Sequence, residues 1–408
     1  MRILLATTRN ISAAGGEWRL LSERALGLRA NSVATDVLSI RPAECHGSNE
    51  PLRGWAGQFA PISYRGLAGF APALFKALIA IRRWLRRQPG GYVILSGAHL
   101  YPLAAVLPAA RVVIDIHGTL AEWIELKHPS GKLRLLRYLY PLVRILECLA
   151  LKRSRGALVV SRPLRDDVLS RGARAAWTVP CLLSAATARA FHVADREASR
   201  RELGIGPETT AVVYSGGLSE WQCTSEAVSL FSQLRPFLPG GARLIMITPN
   251  SPAASGIARA AGVFDPIVLS LPPGEVPAAL AACDIGLMLR EDTLTNRYAF
   301  PNKFAEYLAA GLYVLSSPGL PDPARLIREH SLGSILTPAE VRHGVEPERL
   351  AGIAREFAGA SREMRLERIR PLAGAWLSME NAVQKLVSSL DGQDAIPSLR
   401  VHQRPAIL

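Results

Sequence analysis

The chain has 408 residues, too many for one ordinary hydrophobic core, so we expect two domains. Its composition, with 49% hydrophobic and 20% charged residues, is typical of a globular protein, and no uncharged apolar run of about 18 residues predicts a membrane-spanning helix. The net charge of +14 favours an anionic partner, but no helix-turn-helix, RNP-type or zinc-finger pattern accompanies it, so nucleic acid is not expected to be that partner.

The N-terminus and the cysteines predict where the protein works. The chain begins with a short apolar strand and lacks the charged start, long apolar stretch and cleavage site of a signal peptide. The five cysteines are scattered without CxxC spacing, so neither a disulfide framework nor a zinc site is predicted. These observations favour a cytoplasmic location.

Short apolar runs alternate with helical patterns along the whole chain, as in parallel α/β proteins. The first half has such runs at residues 3–6, 33–40, 92–95, 112–115 and 157–160. The second half has them at residues 211–214, 243–247, 266–269, 285–289 and 313–316. We therefore predict an α/β protein with two Rossmann-like, doubly wound parallel-sheet domains.

The segments between and after these runs set the predicted domain limits. The first domain is expected to span residues 1–181 and the second residues 208–372, joined by a polar linker at 182–207 that has no strand pattern. Further on, apolar side chains recur at three-and-four spacing, at Trp376, Met379, Val383, Leu386 and Leu390. This spacing predicts an amphipathic helix within residues 373–391, and residues 392–408 are expected to be a frayed tail.

The positive charge is concentrated in two helices of the first domain. Residues 51–114 contain no acidic residue, and residues 126–165 contain only Glu147. Leucine and isoleucine recur at helical spacing among the basic residues, at Leu74, Leu78, Ile81 and Leu85 and at Leu135, Leu139, Leu142, Leu146 and Leu149. The second of these helices is expected to kink or split at Pro141.

Such helices have two interpretations. They can pack on the core with a solvated outer face, or they can lie on an anionic membrane surface. Because both helices fall in one domain, we expect the protein to attach peripherally to the inner face of the cytoplasmic membrane.

Missing motifs exclude several common α/β chemistries. The chain has no GxGxxG after its first strand, no GxxxxGK[ST], no GxSxG and no HExxH, which argues against a dehydrogenase, a P-loop NTPase, a serine hydrolase and a metalloprotease. It also has no Asp-x-Asp pair, so no metal-bridged diphosphate site is predicted.

A strand, a loop and a helix follow one another within residues 283–319. Pro301 suits the first turn of the helix, and free N–H groups at a helix N-terminus beside strand ends favour a phosphate. Lys303 adds a positive charge there, and Glu306, three residues on, shares its helical face. A carboxylate in that position can accept hydrogen bonds from both hydroxyls of a ribose. Gly311 is expected to end the helix.

The segment PNKFAEYLAAG, residues 301–311, followed by an apolar strand, resembles the donor-binding helix of GT-B-fold glycosyltransferases, especially the group containing family 4. The segment YSGGLSEWQ, residues 214–222, is similar to the Gly-rich opening of the second domain in that group. The resemblance implies that the second domain binds the donor, through Gly216, Gly217, Asn302, Lys303 and Glu306.

The first domain carries weaker matches to the same family. A family loop with Asp, His and Gly and a nearby Glu is similar to Asp115, His117 and Gly118 with Glu122 or Glu125. A Gly-rich loop before the first helix of the family resembles Gly15 and Gly16, which implies an acceptor or phosphate loop there.

The resemblance implies a sugar transfer in a cleft between the two domains. The nucleotide-sugar is the donor substrate, the acceptor is a glycan or a lipid-linked saccharide, and no cofactor or metal ion is required. Lys303, the helix N-terminus and glycine N–H groups would stabilise charge on the departing diphosphate, Glu306 would bind the ribose, and His117 would contact the donor sugar. Family 4 implies retention of anomeric configuration.

Two departures from the family pattern leave alternatives open. Tyr298 stands where the family often has a second Glu, and residues 219–222 lack the family's Arg and Lys diphosphate ligands, for which Arg290 or Arg297 would have to substitute. A non-catalytic scaffold protein of the same fold is therefore a rival prediction. A nucleotide-sugar 2-epimerase is a third, which requires several cleft carboxylates.

Each candidate residue also has a structural interpretation. Glu306 and Lys303 can form a solvated ion pair, and His117 can be held by loop backbone. Glu122 forms a capping box with Thr119, three residues before it. Asp115 is expected to be structural, and sugar, base and acceptor are not fixed by the sequence.

Overall fold

Two parallel sheets organise the protein, as the sequence predicts. The computed structural model describes residues 1–8, 16–43, 59–66, 68–118, 125, 132–375 and 377–392. Gly15 and Glu122 lie outside the described residues, as does nearly all of the predicted tail.

The first sheet belongs to the first domain. Its described strands are β1 Arg2–Thr7, β2 Ala34–Pro42, β3 Phe59–Tyr64, β4 Gly91–Ser96, β5 Val112–Ile116, β6 Gly156–Val159 and β7 Ala176–Thr178. They pair in parallel in the order β3-β2-β1-β4-β5-β6-β7, so the strand order reverses between β1 and β4. Helices pack on both faces, and for that reason the central strands are almost uniformly apolar.

The second sheet repeats this arrangement. Its described strands are β8 Thr210–Ser215, β9 Ala242–Ile247, β10 Ile267–Leu269, β11 Ile285–Met288, β12 Tyr313–Ser316 and β13 Gly333–Ile335. The order β10-β9-β8-β11-β12-β13 reverses between β8 and β11. Each domain therefore has one switch point, at which two neighbouring strands diverge and leave a crevice at their carboxyl ends.

The helices connect the strands in the usual crossover manner. The first domain has α1 Gly16–Ala30, α2 Phe70–Arg87, α3 Lys132–Arg153 and α4 Arg162–Ser170, with short 3₁₀ turns at Ala98–Ala105 and Ala109–Arg111. Helices α5 Ala185–His192 and α6 Arg196–Glu202 follow it. The second domain has α7 Thr224–Leu234, α8 Ser251–Ala260, α9 Val276–Ala281, α10 Leu294–Arg297, α11 Asn302–Ala309, α12 Pro321–His330, α13 Pro338–His343, α14 Pro347–Ala358 and α15 Arg362–Ala375, with 3₁₀ turns at Glu220–Gln222 and Arg235–Phe237. The last helix is α16 Met379–Leu390.

Three strands have no counterpart among the predicted apolar runs. They are the edge strands β3 and β13 and the outermost strand β7, each of which pairs on one side only. Edge strands are short and partly solvated, so they lack the continuous apolar run that marks a buried parallel strand.

The segment predicted as a linker is helical and well anchored. Ser184 and Asp195 cap helices α5 and α6 through side-chain oxygens that accept from Thr187 N and Ala198 N. Arg196 forms an ion pair with Asp284 beside β11, at 2.5 Å. This crossing segment is therefore anchored to the second domain through α6.

The closing helix α16 packs against the first domain. Tyr92 at the start of β4 donates to the carbonyl of Leu390, at 2.6 Å, and Asn31 donates to the carbonyl of Glu380, at 2.9 Å. Gly27 permits this approach, because a Cβ there would lie 2.8 Å from Cγ of Met379. The chain thus returns from the second domain to the first.

The basic helices bury different fractions of their apolar side chains. In α2, Ile81 and Leu85 are buried in the core. In α3, the predicted stripe faces outward, with Leu139, Leu142 and Leu149 about half exposed. Helix α3 is continuous through Pro141, so it is not split there. In the part of the chain that the structure describes, no helix combines the length and apolarity that a membrane crossing needs.

Candidate functional site

The carboxyl ends of both sheets face a common cleft. Helix α1 begins just beyond β1, helix α11 lies beyond β11, and the two meet through an ion pair between Arg19 and Glu306. A second crossing contact joins Ser161 Oγ to the carbonyl of Tyr298, at 2.8 Å. Ligands of doubly wound proteins bind at the carboxyl ends of strands beside the switch point. The cleft between the domains is therefore the candidate site.

Helix α11 is fixed to the sheet by a residue that the sequence did not single out. The hydroxyl of Tyr307 accepts a hydrogen bond from Ser215 N, at 2.9 Å, and donates to the carbonyl of Leu287, at 3.3 Å. Its ring lies where a side chain at Gly286 would be, since a Cβ there would be 2.4 Å from the ring. Burial raises the pKa of Tyr307 well above its usual value. A glycine inside a buried strand was the available signal.

Lys303 is buried at the mouth of the Gly-rich loop. Its ammonium donates to Gln222 Oε1, at 3.0 Å, and lies 4.3 Å from the centre of the Tyr214 ring. Lys303 as a whole residue is only 7% exposed. Burial, and then the nearby Arg290, lower the pKa of Lys303 well below its usual value.

Arg290 follows β11 and is a second buried cation in the same place. One of its guanidinium nitrogens donates to the carbonyl of Trp221, at 3.2 Å, while its Nε has no hydrogen-bond acceptor among the described residues. Burial lowers its pKa from the usual value. No carboxylate of a described residue forms an ion pair with Arg290 or Lys303. The two cations thus repel each other, and the nearby Glu306 offsets only part of the charge on Lys303.

Gly216 brings the loop after β8 close to these cations. Its φ of 133° is one that other residues rarely adopt, and a Cβ there would lie 3.2 Å from the Lys303 ammonium. Gly217 follows it, and its carbonyl accepts a hydrogen bond from the Tyr214 hydroxyl, at 2.5 Å. Lys303 therefore approaches the backbone of this loop closely at the second switch point, where ligands of doubly wound proteins bind.

Glu306 is 5% exposed and lies one helical turn beyond Lys303. Burial raises the pKa of Glu306, whereas Arg19 and then Lys303 lower it, so the net value lies above the usual one. Arg19 comes from the other domain. The carboxylate of Glu306, which the sequence predicts to bind a ribose, therefore interacts with cations of both domains.

His117 stands at the carboxyl end of β5 and is half-buried. Its Nε2 lies 3.2 Å from Ser96 Oγ, at the end of the neighbouring strand β4. Ser96 also hydrogen-bonds the carboxylate of Asp115, which pairs with the buried Arg24, at 2.5 Å. A connected set of polar groups thus holds His117 at the cleft. Ser96 and Arg24 were not predicted, because neither stands in a recognisable motif.

Glu125 is the described member of the pair of glutamates that resemble the family loop. Its carboxylate accepts from Leu294 N, at 2.7 Å, and from Thr295 N, at 2.9 Å, across the cleft. It therefore caps the short helix α10 of the second domain. Gly16 is the first residue of α1, directly after β1 and its loop.

Two other candidates lie farther out. Arg297 is on the surface and pairs with Asp292, at 2.7 Å, so the structure brings Arg290 and not Arg297 to Lys303. Asn302 is half-buried in the first turn of α11. Tyr298 stands in the place of the second family Glu, and burial and then the nearby Asp167 of the first domain raise its pKa. Among the described residues, no three His, Cys, Asp or Glu side chains are grouped as metal ligands would be.

Solved structures resemble this chain over nearly its whole length. Sucrose-phosphate synthase from Thermosynechococcus elongatus is 15% identical, with a TM-score of 0.67 over 97% of this chain and 100% of that one. HepE from Anabaena, in complex with UDP-glucose, is 14% identical, with a TM-score of 0.67 over 96% and 100%. WaaG, a glycosyltransferase involved in lipopolysaccharide biosynthesis, is 14% identical, with a TM-score of 0.62 over 96% and 100%.

These similarities identify the fold. No family model matches the sequence, and no curated protein matches it. The predicted fold class is confirmed: the chain has the GT-B fold of glycosyltransferases, with two Rossmann-like parallel-sheet domains that face a cleft. At such low identity the similarity concerns the fold alone, and membership of family 4 stays a prediction.

Proposed function

We propose that this protein is a glycosyltransferase that moves a sugar from a nucleotide-sugar donor to a glycan or lipid-linked acceptor. The observation that carries the proposal is the pair of buried, mutually repelling cations, Lys303 and Arg290, beside the Gly-rich loop of the second domain. Both lie at a switch point of a GT-B fold, where a ligand is expected.

A bound anion would balance the charge of Lys303 and Arg290, neither of which forms a direct ion pair with a carboxylate of a described residue. Burying an unpaired cation costs several kcal/mol, and a like charge beside it adds to that cost. A diphosphate would neutralise Lys303 and Arg290 and accept hydrogen bonds from the backbone N–H groups that follow Gly216 in the loop, since the N–H of Gly216 itself donates to the carbonyl of Ile247. The same groups would stabilise the negative charge that develops on the leaving diphosphate during transfer. These side chains supply positive charge, so the proposed mechanism needs no metal ion.

The remaining site residues fit the other parts of a donor. Glu306 lies one turn from Lys303 and would accept hydrogen bonds from the ribose hydroxyls. The nucleotide would then lie along α11. His117, across the cleft, would face the donor sugar. The family resemblance assigns Gly15 and Gly16 to an acceptor or phosphate loop. The resemblance to family 4 supports a retaining reaction.

Membrane attachment through the first domain is the second part of the proposal. Helix α3 exposes Tyr138, Leu142, Ile145 and Leu149 at spacings of four, three and four residues, by 83%, 55%, 58% and 51%. Residues so spaced share one face of a helix. An exposed apolar face of this kind marks an interaction surface.

The turn Ala98–Ala105 links the basic end of α2 to helix α3. Helix α3 packs on the turn Ala98–Ala105, and Arg82 donates to the carbonyl of Val106 at the end of that turn, at 2.9 Å. Arg83, Arg86 and Arg87 are exposed on the same helix as Arg82. Exposed apolar and cationic side chains in the same domain suit an anionic lipid surface, where a lipid-linked acceptor would be found. We therefore propose peripheral attachment to the cytoplasmic membrane, in surface polysaccharide or glycolipid assembly.

Nucleotide titration tests the donor site. UDP, GDP and their 2′-deoxy forms are titrated by calorimetry into the wild type, Glu306→Ala and the control Glu348→Ala, which changes an exposed residue of α14. Losing a charged acceptor to a hydroxyl costs about 1.5–3 kcal/mol per bond, so Glu306→Ala should bind at least tenfold more weakly and lose the preference for ribose. If it binds as the wild type does and still discriminates ribose from deoxyribose, the assigned donor site is wrong.

Product analysis separates the rival functions. A transferase releases nucleoside diphosphate from the nucleotide-sugar and links the sugar to an acceptor. A scaffold protein, for which Tyr298 was the sequence evidence, would bind the donor without turnover. An epimerase would return an isomerised donor or a free sugar without an acceptor.

A further inference from the structure

We propose that Arg19 of the first domain is a positioning residue of the donor site, which pairs with Glu306 across the cleft and holds that carboxylate charged and in place for the nucleotide. This deepens the proposed function and rests on it, because Glu306 is the residue assigned to the ribose. Arg19 lies in the first turn of α1, three residues after Gly16.

The ion pair is shielded from water. The side chain of Arg19 is 17% exposed and that of Glu306 is 6% exposed. Exposed ion pairs contribute little because water and salt screen them, whereas a shielded pair interacts more strongly. Lys303, on the same helix as Glu306, donates to Gln222 instead. Among the described residues, Arg19 is the cation that pairs directly with this carboxylate.

The pair leaves room for a ligand. Arg19 engages Oε1 of Glu306. An ionised carboxylate has about four acceptor positions on its two oxygens, so the carboxylate retains capacity for two hydroxyl donors. Arg19 therefore orients Glu306 and leaves part of its hydrogen-bonding capacity available to a ligand.

Helix α1 holds Arg19 rigidly. Arg24 of the same helix pairs with Asp115 in the first sheet, at 2.5 Å. Glu23 accepts from Ser184 N at the start of the crossing segment, at 2.6 Å. Both contacts are buried, so the helix that carries Arg19 is fixed to the first domain. The ion pair with Arg19 then couples the position of the Glu306 carboxylate to the position of the first domain.

The charges around Glu306 show what Arg19 opposes. Burial raises the pKa of Glu306, and Glu23 of α1 raises it further, while Arg19 and Lys303 lower it. Without Arg19, burial and Glu23 would be opposed by Lys303 alone. A protonated carboxyl is neutral and a weaker acceptor than a carboxylate. Removing Arg19 should therefore weaken nucleotide binding more at low pH than at high pH.

The experiment is a calorimetric titration of UDP and GDP between about pH 8 and about pH 6. The proteins are the wild type, Arg19→Gln, Arg19→Lys and the control Arg29→Gln, which changes an exposed arginine of the same helix. We expect Arg19→Gln to bind about tenfold more weakly than the wild type at the upper pH, and the ratio of its affinity to that of the wild type to decrease further as the pH falls. Arg19→Lys, which keeps the charge, and Arg29→Gln should follow the wild-type pH profile.

Other outcomes overturn the proposal in distinct ways. If Arg19→Gln binds with wild-type affinity and pH profile while Glu306→Ala loses ribose preference, Arg19 has no positioning role and the donor site stands. If Arg19→Gln binds more tightly than the wild type, Arg19 competes with the nucleotide. If Glu306→Ala binds nucleotides as the wild type does, the donor site is wrong and the role of Arg19 falls with it.

Discussion

Replacing Lys303 by methionine separates a ligand-binding role from a structural one. Methionine keeps an unbranched side chain of similar length in the buried position and removes the charge. A lysine that serves folding should cost stability when it is replaced. If Lys303 binds an anionic ligand, its replacement should instead lower the affinity for that ligand. Stability should not suffer in the same way, because the buried charge is unfavourable in the unliganded protein.

The contacts of Lys303 give the expected size of both effects. The hydrogen bond to Gln222 and the contact with the Tyr214 ring contribute about 1.5–3 and about 1–2 kcal/mol. Desolvation of an ammonium and its repulsion by Arg290 cost several kcal/mol in the opposite direction. These effects nearly offset, so the melting temperature of Lys303→Met should stay within a few degrees of the wild type or rise. Loss of a charged donor to phosphate should weaken UDP binding about tenfold to a hundredfold.

The pH dependence has a definite sign. Because burial and Arg290 lower the pKa of Lys303, its charged form is lost as the pH rises through that lowered value. Wild-type affinity for UDP should therefore fall as the pH rises, and Lys303→Met should lose this dependence. Thermal melts and calorimetry on the wild type, Lys303→Met and the exposed control Lys385→Met measure both effects. A melting temperature lowered by many degrees, with unchanged UDP affinity, would refute the anion site.

Three further predictions concern the first domain. His117→Ala should lower turnover far more than nucleotide affinity, measured by initial rates and calorimetry; a collapse of affinity with a normal rate per bound donor would contradict its placement beside the sugar. Asp115→Ala should lower the melting temperature, since breaking a buried ion pair costs about 3–5 kcal/mol. Burial raises the pKa of Asp115, but Arg24, His117 and Ser96 together lower it below its usual value, so the contribution of Asp115 to stability should be lost as the pH falls. An unchanged melting temperature in Asp115→Ala would contradict this. Changing the four arginines between positions 82 and 87 to glutamine should weaken co-sedimentation with acidic liposomes, with unchanged circular dichroism; equal binding to neutral vesicles at high salt would exclude the electrostatic attachment.

Local sequence was sufficient for the central strands and for helix α11. Strand β12 lies at the predicted residues, and β1, β4, β5, β8 and β11 overlap the predicted runs closely, because a parallel strand buried on both faces is apolar throughout. Gly311 ends α11 with a φ of 70°, a conformation that favours glycine. Signals of this kind depend on a few consecutive residues and can be read from the chain alone.

The roles of the two basic helices depended on tertiary packing. The leucine stripes of α2 and α3 look alike in the sequence, yet Ile81 and Leu85 are buried while Leu142 and Leu149 are about half exposed. A periodic apolar face predicts that the face is covered, but it does not identify the surface that covers it. Where each helix lies on the first sheet decided whether the core covers that face.

The sequence by itself determined the two α/β domains, the Gly-rich loop and the positions of Lys303 and Glu306 on one helical face. Only the tertiary structure placed Arg290 beside Lys303 and Arg19 beside Glu306. These partners are 13 and 287 residues apart in sequence. The sequence offered Arg290 and Arg297 as alternatives without deciding between them, and no pattern marked Arg19 among the 48 basic residues. The charge state of a buried group depends on which side chains the fold brings within a few ångströms of it, and that is a property of packing rather than of spacing along the chain.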